Sequence, residues 1–315
     1  MNSISTKVVH EVKKVMNGKD DVIVKVWLTL LAEGHVLLED QPGVGKTTLA
    51  KTFSCVLNLQ SNRIQFTPDV VASDVTGFTM FDKEANRFVF KEGAVMCNLL
   101  LGDEINRTSS RTQAALLEAM QEKHVTVDGV TYPLPEPFHV IATQNPLGTF
   151  GTQPLPLAQL DRFMTKLSVG YPSAQDQVAM LKNRQAMDPL QTVQQVLTKD
   201  ELLSIQQQVE ALHISDELLF YVTDLTEATR NHPQIAQGIS PRGAIALCKM
   251  AKAHAFKEDR AYVIPEDIAA VWLETVSHRI VLKDASYTSQ LAELLTNILR
   301  TVATPDMQEM KAFKG

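Results

Sequence analysis

The sequence is poor in the features that mark several large classes of protein. It has only three cysteines, Cys55, Cys97 and Cys248, far apart and without a CxxC pair. That excludes a disulfide framework or a zinc ribbon and fits free thiols in a reducing compartment. The eight histidines show no HExxH or comparable ligand spacing, so no metal site built from side chains alone is expected. Positive charge is not in excess either: 30 Lys and Arg face 36 Asp and Glu, a net charge of −6. A dedicated duplex-DNA binder usually carries a basic footprint, so nucleic acid is a disfavoured partner, although an acidic chain can still hide a local basic pore. Long apolar runs are missing as well. The stretch Val22 to Leu38 is interrupted by Lys25, Glu33 and His35, too soon for a membrane span. The N-terminus, MNSISTKVVHEVKKVMNGKDD, is amphipathic and charged and has no apolar h-region. These absences together predict a cytoplasmic protein without a membrane span.

What is present is enough for a large core. With 44% hydrophobic and 21% charged residues over 315 positions, the chain is expected to form about two globular domains. Its first half alternates short apolar runs with helical patterns, the signature of a parallel α/β sheet. Strands are predicted at His35–Glu39, Asn62–Phe66, Cys97–Leu101, Phe138–Thr143 and Thr165–Val169, with helices at Lys46–Leu57 and Arg111–Lys123. Two segments have the pattern of inserted β-hairpins. Phe78–Phe90 alternates around residues 82–86, and Val125–Tyr132 turns at Asp128-Gly129, a strong two-residue hairpin signal. After Tyr171-Pro172 the strand signals stop and helical periodicity continues to the C-terminus. Ser173 with Asp176 and Thr198 with Glu201 fit capping boxes, and Pro265-Glu266-Asp267 suits the first turn of a helix. The expected organisation is therefore an α/β nucleotide-binding core over residues 1–171 and a smaller all-helical domain over 172–315.

The segment Asp40-Gln41-Pro42-Gly43-Val44-Gly45-Lys46-Thr47 follows a predicted strand and opens a predicted helix, the context a phosphate-binding loop requires. Gly43 and Gly45 let backbone N–H groups approach phosphate oxygens, and the helix N-terminus adds its partial positive charge. Residues Gln41 through Thr48 are the expected nucleotide contacts. Lys46 is expected to reach the β- and γ-phosphates of ATP, and the Thr47 hydroxyl to take a Mg²⁺ coordination site. Asp40 replaces the first glycine of the motif, a position expected to close the turn rather than touch phosphate.

A second acidic feature completes the pattern. Leu99-Leu100-Leu101-Gly102-Asp103-Glu104 is an apolar run ending in two acids, 57 positions beyond Lys46. A central strand would deliver both to the sheet's C-terminal edge. Asp103 is then the expected Mg²⁺ residue, acting through water, and Glu104 the general base that polarises the attacking water. A strand ending in Asp-Glu means little alone; its spacing from the phosphate loop is what makes it informative. The next strand ends in Thr143-Gln144-Asn145-Pro146, which places Asn145 beside Glu104 and able to fix the same water.

DQPGVGKTT, LLLGDEINR, ATQNP, LPLAQLDRF and SPRGA, in this order between Asp40 and Arg242, resemble the AAA+ superfamily, and closely its MoxR family of bacterial ATPases. The helix-like segment from Arg111 to Glu122 is similar too. The resemblance implies an AAA+ α/β core with a helical lid, ring assembly, expected to be hexameric, and nucleotide bound between subunits. It implies Lys46 and Thr47 as the Walker A pair, Asp103 and Glu104 as Walker B, and Asn145 as sensor 1. It further implies Arg162 as an arginine finger and Arg242 as the lid's sensor-2 arginine. Both roles need a planar, permanently charged guanidinium facing phosphate oxygens. A cation in the first turn of a helix, as at Arg242, opposes the dipole and favours a bound anion. The alternative for Arg162 is an ion pair with Asp161. Two positions depart from the family: Leu147-Gly148-Thr149-Phe150 stands where it usually has an acidic stretch, and Leu157 where it usually has glutamate.

On this reading the chain is an ATPase that acts as a chaperone-like remodeller of a protein partner, typically one with a von Willebrand factor A domain. The two hairpins resemble insertions that engage such partners. A metal-chelatase motor subunit and a nucleic-acid motor would share the same engine, and the acidic balance weighs against the latter. A nucleotide-gated scaffold is disfavoured by Glu104, because a module that only binds has no need of a base.

Overall fold

The computed structural model describes residues 1–41, 43–84, 86–145, 154–186 and 188–305, with the backbone only at 183–186, 285 and 287. Pro42, and the departure from the family at 147–150, lie outside the described residues. The chain opens with α1 (Ser3–Lys13) and α2 (Asp20–Leu31), then β1 (Val36–Glu39), α3 (Lys46–Val56), β2 (Ser61–Gln65) and α4 (Ala72–Thr76). A hairpin, β3 (Gly77–Asp82) and β4 (Arg87–Glu92), precedes β5 (Leu99–Asp103) and α5 (Ser110–Glu122). A second hairpin, β6 (His124–Val127) and β7 (Val130–Pro133), leads to β8 (His139–Gln144), α6 (Leu157–Leu160) and β9 (Thr165–Leu167). Then follow α7 (Ala174–Ala186), α8 (Lys199–Glu210), α9 (Asp216–Arg230), β10 (Ile235–Gln237), α10 (Pro241–Lys257), α11 (Pro265–Val276), β11 (Val281–Leu282) and α12 (Leu291–Thr301).

The five strands expected from the pattern form one sheet in the order β2-β5-β8-β1-β9, and every pairing in it is parallel. Burial follows position in the sheet. β5 and β8, the central strands, are buried at every residue and have continuous runs for that reason. β2, on the edge, alternates between exposed and half-buried residues. Crossovers between parallel strands place β1 and β5 so that both end at the same edge, and that edge receives the phosphate loop and the acidic pair.

The hairpins form as expected. Asp128 and Gly129 both take positive φ, 50° and 80°, as a two-residue turn of this type requires. Phe90 of the first stacks on Tyr132 of the second, with ring centroids 3.9 Å apart, so the two insertions lie side by side.

Beyond β9 the chain is helical, with one feature the pattern did not show: β10 and β11 pair antiparallel, Ile235 opposite Leu282. At three and two residues they are too short to display an alternation. The expected caps are present. Thr198 Oγ1 accepts from Glu201 N at 3.2 Å, and Glu201 Oε2 accepts from Thr198 N at 2.7 Å. The helical part does not stand apart from the core. Trp27 of α2, Leu202 of α8, Leu247 and Met250 of α10 and Trp272 of α11 belong to one buried apolar cluster. Burying each such side chain contributes about 1.5–3 kcal/mol.

Candidate functional site

The phosphate loop passes directly from β1 into α3. Gly43 and Gly45 have φ of 86° and 97°, values that a side chain would strain, and they turn the backbone around the start of the helix. Lys46 is buried, and its Nζ donates to the Asp40 carbonyl oxygen at 2.6 Å. Burial holds its ammonium below the usual lysine range, although Asp40, Asp103, Glu104 and Glu39 all pull the other way. A polyanion beside it would supply the counter-charge that burial demands. The loop opens on a cavity of about 670 Å³ lined by Gly43 through Thr48, by Val15 to Asn17 of the N-terminal segment, and by Tyr171, Asp176 and Met180. Gln41 is exposed at the loop's start.

Asp40 does more than close the turn. Its carboxylate accepts from the Val169 and Gly170 N–H groups, the latter at 3.2 Å, and from Ser168 Oγ at 3.1 Å. The phosphate loop is thereby fastened to the segment that leads from β9 into the helical part.

Asp103 ends β5 and is buried. Its Oδ2 accepts from Thr47 Oγ1 at 3.4 Å and from Arg63 Nε at 2.8 Å, and its Oδ1 from Thr143 Oγ1 at 3.3 Å. A hydroxyl and a carboxylate meeting beside a phosphate loop form the hard-oxygen donor set that Mg²⁺ prefers. These residues therefore fit the ion. Arg63, half exposed, provides the positive charge at this carboxylate.

Glu104 takes a left-handed conformation, φ 58° and ψ 48°, a region that costs a non-glycine residue about 1–3 kcal/mol. Thr143 Oγ1 fixes that conformation by accepting from Glu104 N at 2.9 Å. Asn145 Nδ2 donates to Glu104 Oε1 at 3.1 Å, as its place at the end of β8 implied. Arg107 donates to Glu104 Oε2 at 2.8 Å. Partial burial alone would raise this carboxyl's pKa; the hydrogen bonds from Arg107 and Asn145 outweigh it and hold the group below the ordinary glutamate value. Asn145 is itself positioned by Asn106, with Asn106 Nδ2 donating to the Asn145 carbonyl at 3.1 Å.

Arg162 and Arg242 are not at this edge of the sheet. Both line a cavity of about 190 Å³ with Glu33, Gly34, His35, Met120 and Gln121, beside the N-terminal end of β1. The phosphate loop begins at the other end, beyond four strand residues or roughly 13 Å at ~3.3 Å each. Arg242 is exposed and donates to Gln121 Oε1 at 3.2 Å. Arg162 makes no pair with Asp161. That carboxylate accepts from Arg279 Nε at 2.8 Å and Ser240 Oγ at 2.8 Å, while Arg162 Nε is buried without a partner among the described residues. Arg279 also donates to the Phe163 carbonyl at 2.7 Å and the Met164 carbonyl at 3.2 Å, so it holds in shape the turn that carries Arg162. Leu157, the other departure from the family, is half-buried in α6.

Sequence reasoning assigned no role to Arg63, Arg107, Thr143 or Arg279. Arg107 stood within the acidic motif, three positions from Glu104, and its charge was the available signal. Arg279 had none, because its partner lies 118 positions away. Among the described residues no group of three or more His, Cys, Asp or Glu could hold a metal ion, and no helix is long and apolar enough to cross a membrane.

Comparison with known proteins agrees with this geometry. The profile of the "ATPase family associated with various cellular activities (AAA)" matches residues 35–165, and that of the "AAA lid domain" matches residues 227–297. The chain is 43% identical to the uncharacterized protein YeaC of Bacillus subtilis, over 95% of this chain and 94% of that one. It is 38% identical to the chaperone MoxR1 of Mycobacterium tuberculosis, over 96% and 82%. A crystal structure of a candidate ATPase from Cytophaga hutchinsonii superposes with a TM-score of 0.88 at 37% identity, covering 96% of each chain. A phosphate loop, an acidic pair and an asparagine at one sheet edge, in a chain related along most of its length to proteins named MoxR, place it with the AAA+ ATPases, and within them it belongs to the MoxR family.

Proposed function

We propose that this ATPase works as a ring, expected to be a hexamer, in which each nucleotide site is completed by the next subunit, and that the ring remodels a protein client. The observation that carries the proposal is the separation of Arg162 and Arg242 from the chain's own phosphate loop by the length of β1. Neither arginine can serve the nucleotide of its own subunit in this arrangement, so both act in trans. The division proposed is a core of residues 1–171 that holds the nucleotide and a lid of 172–315 that carries Arg242.

The residues then divide the chemistry. Lys46 and the backbone N–H groups from Gly43 to Thr48 bind the phosphates. Thr47 and Asp103 would hold Mg²⁺, which when bound neutralises charge on the phosphate oxygens. Glu104, oriented by Asn145, takes the proton of the attacking water. Arg162 and Arg242 of the neighbour stabilise charge at the γ-phosphate and report its loss to the ring. The link from Asp40 to Val169 and Gly170 carries that change towards the lid.

The proposed client is a protein, of the von Willebrand factor A domain type that the family resemblance suggests. The surface that supports a protein client is the β3–β4 hairpin, which leaves Phe78, Met80, Phe81 and Phe88 exposed. An apolar patch of this kind needs a partner to cover it.

Complementation between two inactive variants tests the ring. Arg162→Ala subunits should be nearly inactive, since a finger arginine contributes about 10³–10⁵ in rate. Lys46→Ala subunits should be inactive for want of nucleotide. Mixed rings pair an intact loop with an intact finger at some interfaces and should recover part of the activity. No recovery in rings shown to contain both subunits would remove the trans assignment.

A further inference from the structure

Besides the β3–β4 hairpin, two apolar surfaces have no partner among the described residues, one beside each half of the proposed composite site. The first is α7. Of its described side chains, Ala174 to Lys182, none is buried and only Asp176 is half-buried. A helix of 13 residues that buries none of its described side chains is marginal in water. Yet α7 carries Val178 and Leu181, 50% and 53% exposed, three residues apart and so on one face. Asp176 and Met180, which line the phosphate-loop cavity, lie on the opposite face at about 100° per residue. One side of α7 thus walls its own nucleotide cavity and the other presents bare aliphatic side chains.

The second surface is a groove of about 440 Å³ between the end of α2 and helices α8, α9 and α10, walled by Val209, Leu219, Val222, Ala244, Ile245 and Cys248. Ile245 and Leu219 are 60% and 41% exposed. The groove is continuous with the arginine cavity, because Glu33, Ile245 and Lys249 line both. Along α10, Arg242, Ile245, Lys249 and Lys252 recur at helical spacing, so the arginine and the groove share one face of one helix.

From this we infer that α7 of one subunit seats Val178 and Leu181 in the α8–α10 groove of its neighbour, so that the contact that closes the groove also brings Arg162 and Arg242 to the phosphate. The inference rests on the trans reading above and specifies its interface. The dimensions agree. The outer face of α7 lies about one helix diameter, ~10 Å, from the cavity that its inner face lines. From Arg242 the groove-lining residues of α10 run from Ala244 to Lys252, about 3–15 Å at ~1.5 Å per residue. A contact between two different faces of one chain is heterologous, the kind that closes into rings. Its occupant is a second copy, since whatever brings phosphate to the arginine pair brings its own α7 as well.

The test compares wild type with Leu181→Glu and Ile245→Glu by sedimentation velocity in ATP across a concentration series. Each variant should raise the concentration of half-assembly at least tenfold. Leu181→Glu should leave the dilute monomer's melting temperature and nucleotide binding as in wild type, because the side chain is already in solvent. A second measurement mixes Leu181→Cys with Ile245→Cys subunits in a background of Cys55→Ser and Cys248→Ala, since Cys248 lines the same groove, and adds a short bifunctional thiol reagent. Cross-links should form between chains, and only in the ATP-assembled state. Normal assembly of Leu181→Glu, a lowered monomer melting temperature, or cross-linking of Leu181→Cys to a Phe88→Cys subunit in place of Ile245→Cys would each overturn the inference. If wild type assembles and Arg162→Ala is rescued by mixing while Leu181→Glu assembles normally, the seat alone is wrong. If wild type stays monomeric in ATP, the ring reading and the seat fall together.

Discussion

Asn145 donates its side-chain amide to one carboxylate oxygen of Glu104 at 3.1 Å, while Arg107 donates to the other at 2.8 Å. The proposed base is thus held between a neutral donor just beyond the adjacent strand and a cation three residues along its own chain. Because Thr143 also fixes the Glu104 backbone, the carboxylate has a defined direction at the edge of the phosphate-loop site. Removing the charge while keeping the shape, in Glu104→Gln, should preserve ATP binding and lower turnover by about 10²–10⁴. Lys46→Ala should instead abolish tight binding, since Lys46 meets phosphate in ground and transition states alike. Equilibrium binding of ATP and steady-state hydrolysis separate the two, and near-normal turnover in Glu104→Gln would remove its assigned role.

Asp40 gives a second, structural prediction. Its carboxylate accepts from two backbone N–H groups and a hydroxyl at the exit of β9. Asp40→Ala leaves these donors without their partner, at about 1–3 kcal/mol for a buried one. For a chain of this size that corresponds to a fall of a few degrees in melting temperature. ATP binding should weaken less, because Asp40 reaches the loop lysine through its main-chain carbonyl, which alanine retains. An unchanged melting temperature would show that the clasp is not maintained in solution.

The buried histidines set the pH dependence of stability. His35 and His139 are buried around the β1–β8 pair: His35 Nδ1 accepts from Val140 N at 3.0 Å, and His139 bonds the Gly34 carbonyl at 3.0 Å and Gln206 of α8 at 3.0 Å. Burial pushes their pKa values down to about 3 and about 4, and that of His278 falls in the same way. Above the unfolded value of about 6.5 both states are neutral and stability does not depend on these groups. Below it the unfolded chain binds protons that the native chain refuses, so stability drops as pH falls, by about 1.4 kcal/mol per unit for each histidine. Between pH 6.5 and 5, His35 and His139 together should remove roughly 3 kcal/mol, the slope being only half its limit at pH 6.5. Denaturant unfolding at pH 7.5, 6.5 and 5.5 should show a plateau and then a decline, and a flat profile would contradict the burial of these rings.

How far the sequence could be read depended on the range of the interactions. The phosphate loop, the acidic pair and Asn145 were legible because each is a short contiguous pattern fixed to a strand end. The central strands were legible because burial on both faces leaves an unbroken apolar run, and their ends were displaced by only one or two residues. Arg279 was not, since its work depends on Asp161, 118 positions earlier, and on carbonyl groups that no pattern identifies. The placement of Arg242 was not legible either. Its helix cap is local and was readable, but the packing of α10 against α2 and α8, which puts the arginine at the far end of β1, is set by side chains spread over the whole chain. The His35–His139–Gln206 network escaped for the same reason: each histidine alone is indistinguishable from any other in an apolar stretch.

The proposed client surface gives the last prediction. Phe81 and Phe88 pack edge to face at 5.4 Å across the β3–β4 hairpin, yet both remain exposed, Phe88 by 71%. A two-stranded hairpin buries little by itself, and this one is held at its base, where Phe90 stacks on Tyr132. Its apolar tip is therefore available to a partner without unfolding anything. Hydrolysis can remodel that partner only if its affinity differs between the nucleotide states. The Glu104→Gln protein loaded with ATP should thus retain a specific protein from an extract of its own source, and the same protein loaded with ADP should not. Phe81→Ser with Phe88→Ser, or a hairpin shortened between Phe78 and Phe90, should abolish the capture while leaving ATP binding intact. Capture that ignores the nucleotide, or selective retention of nucleic acid at physiological salt, would transfer the assignment to a different class of motor.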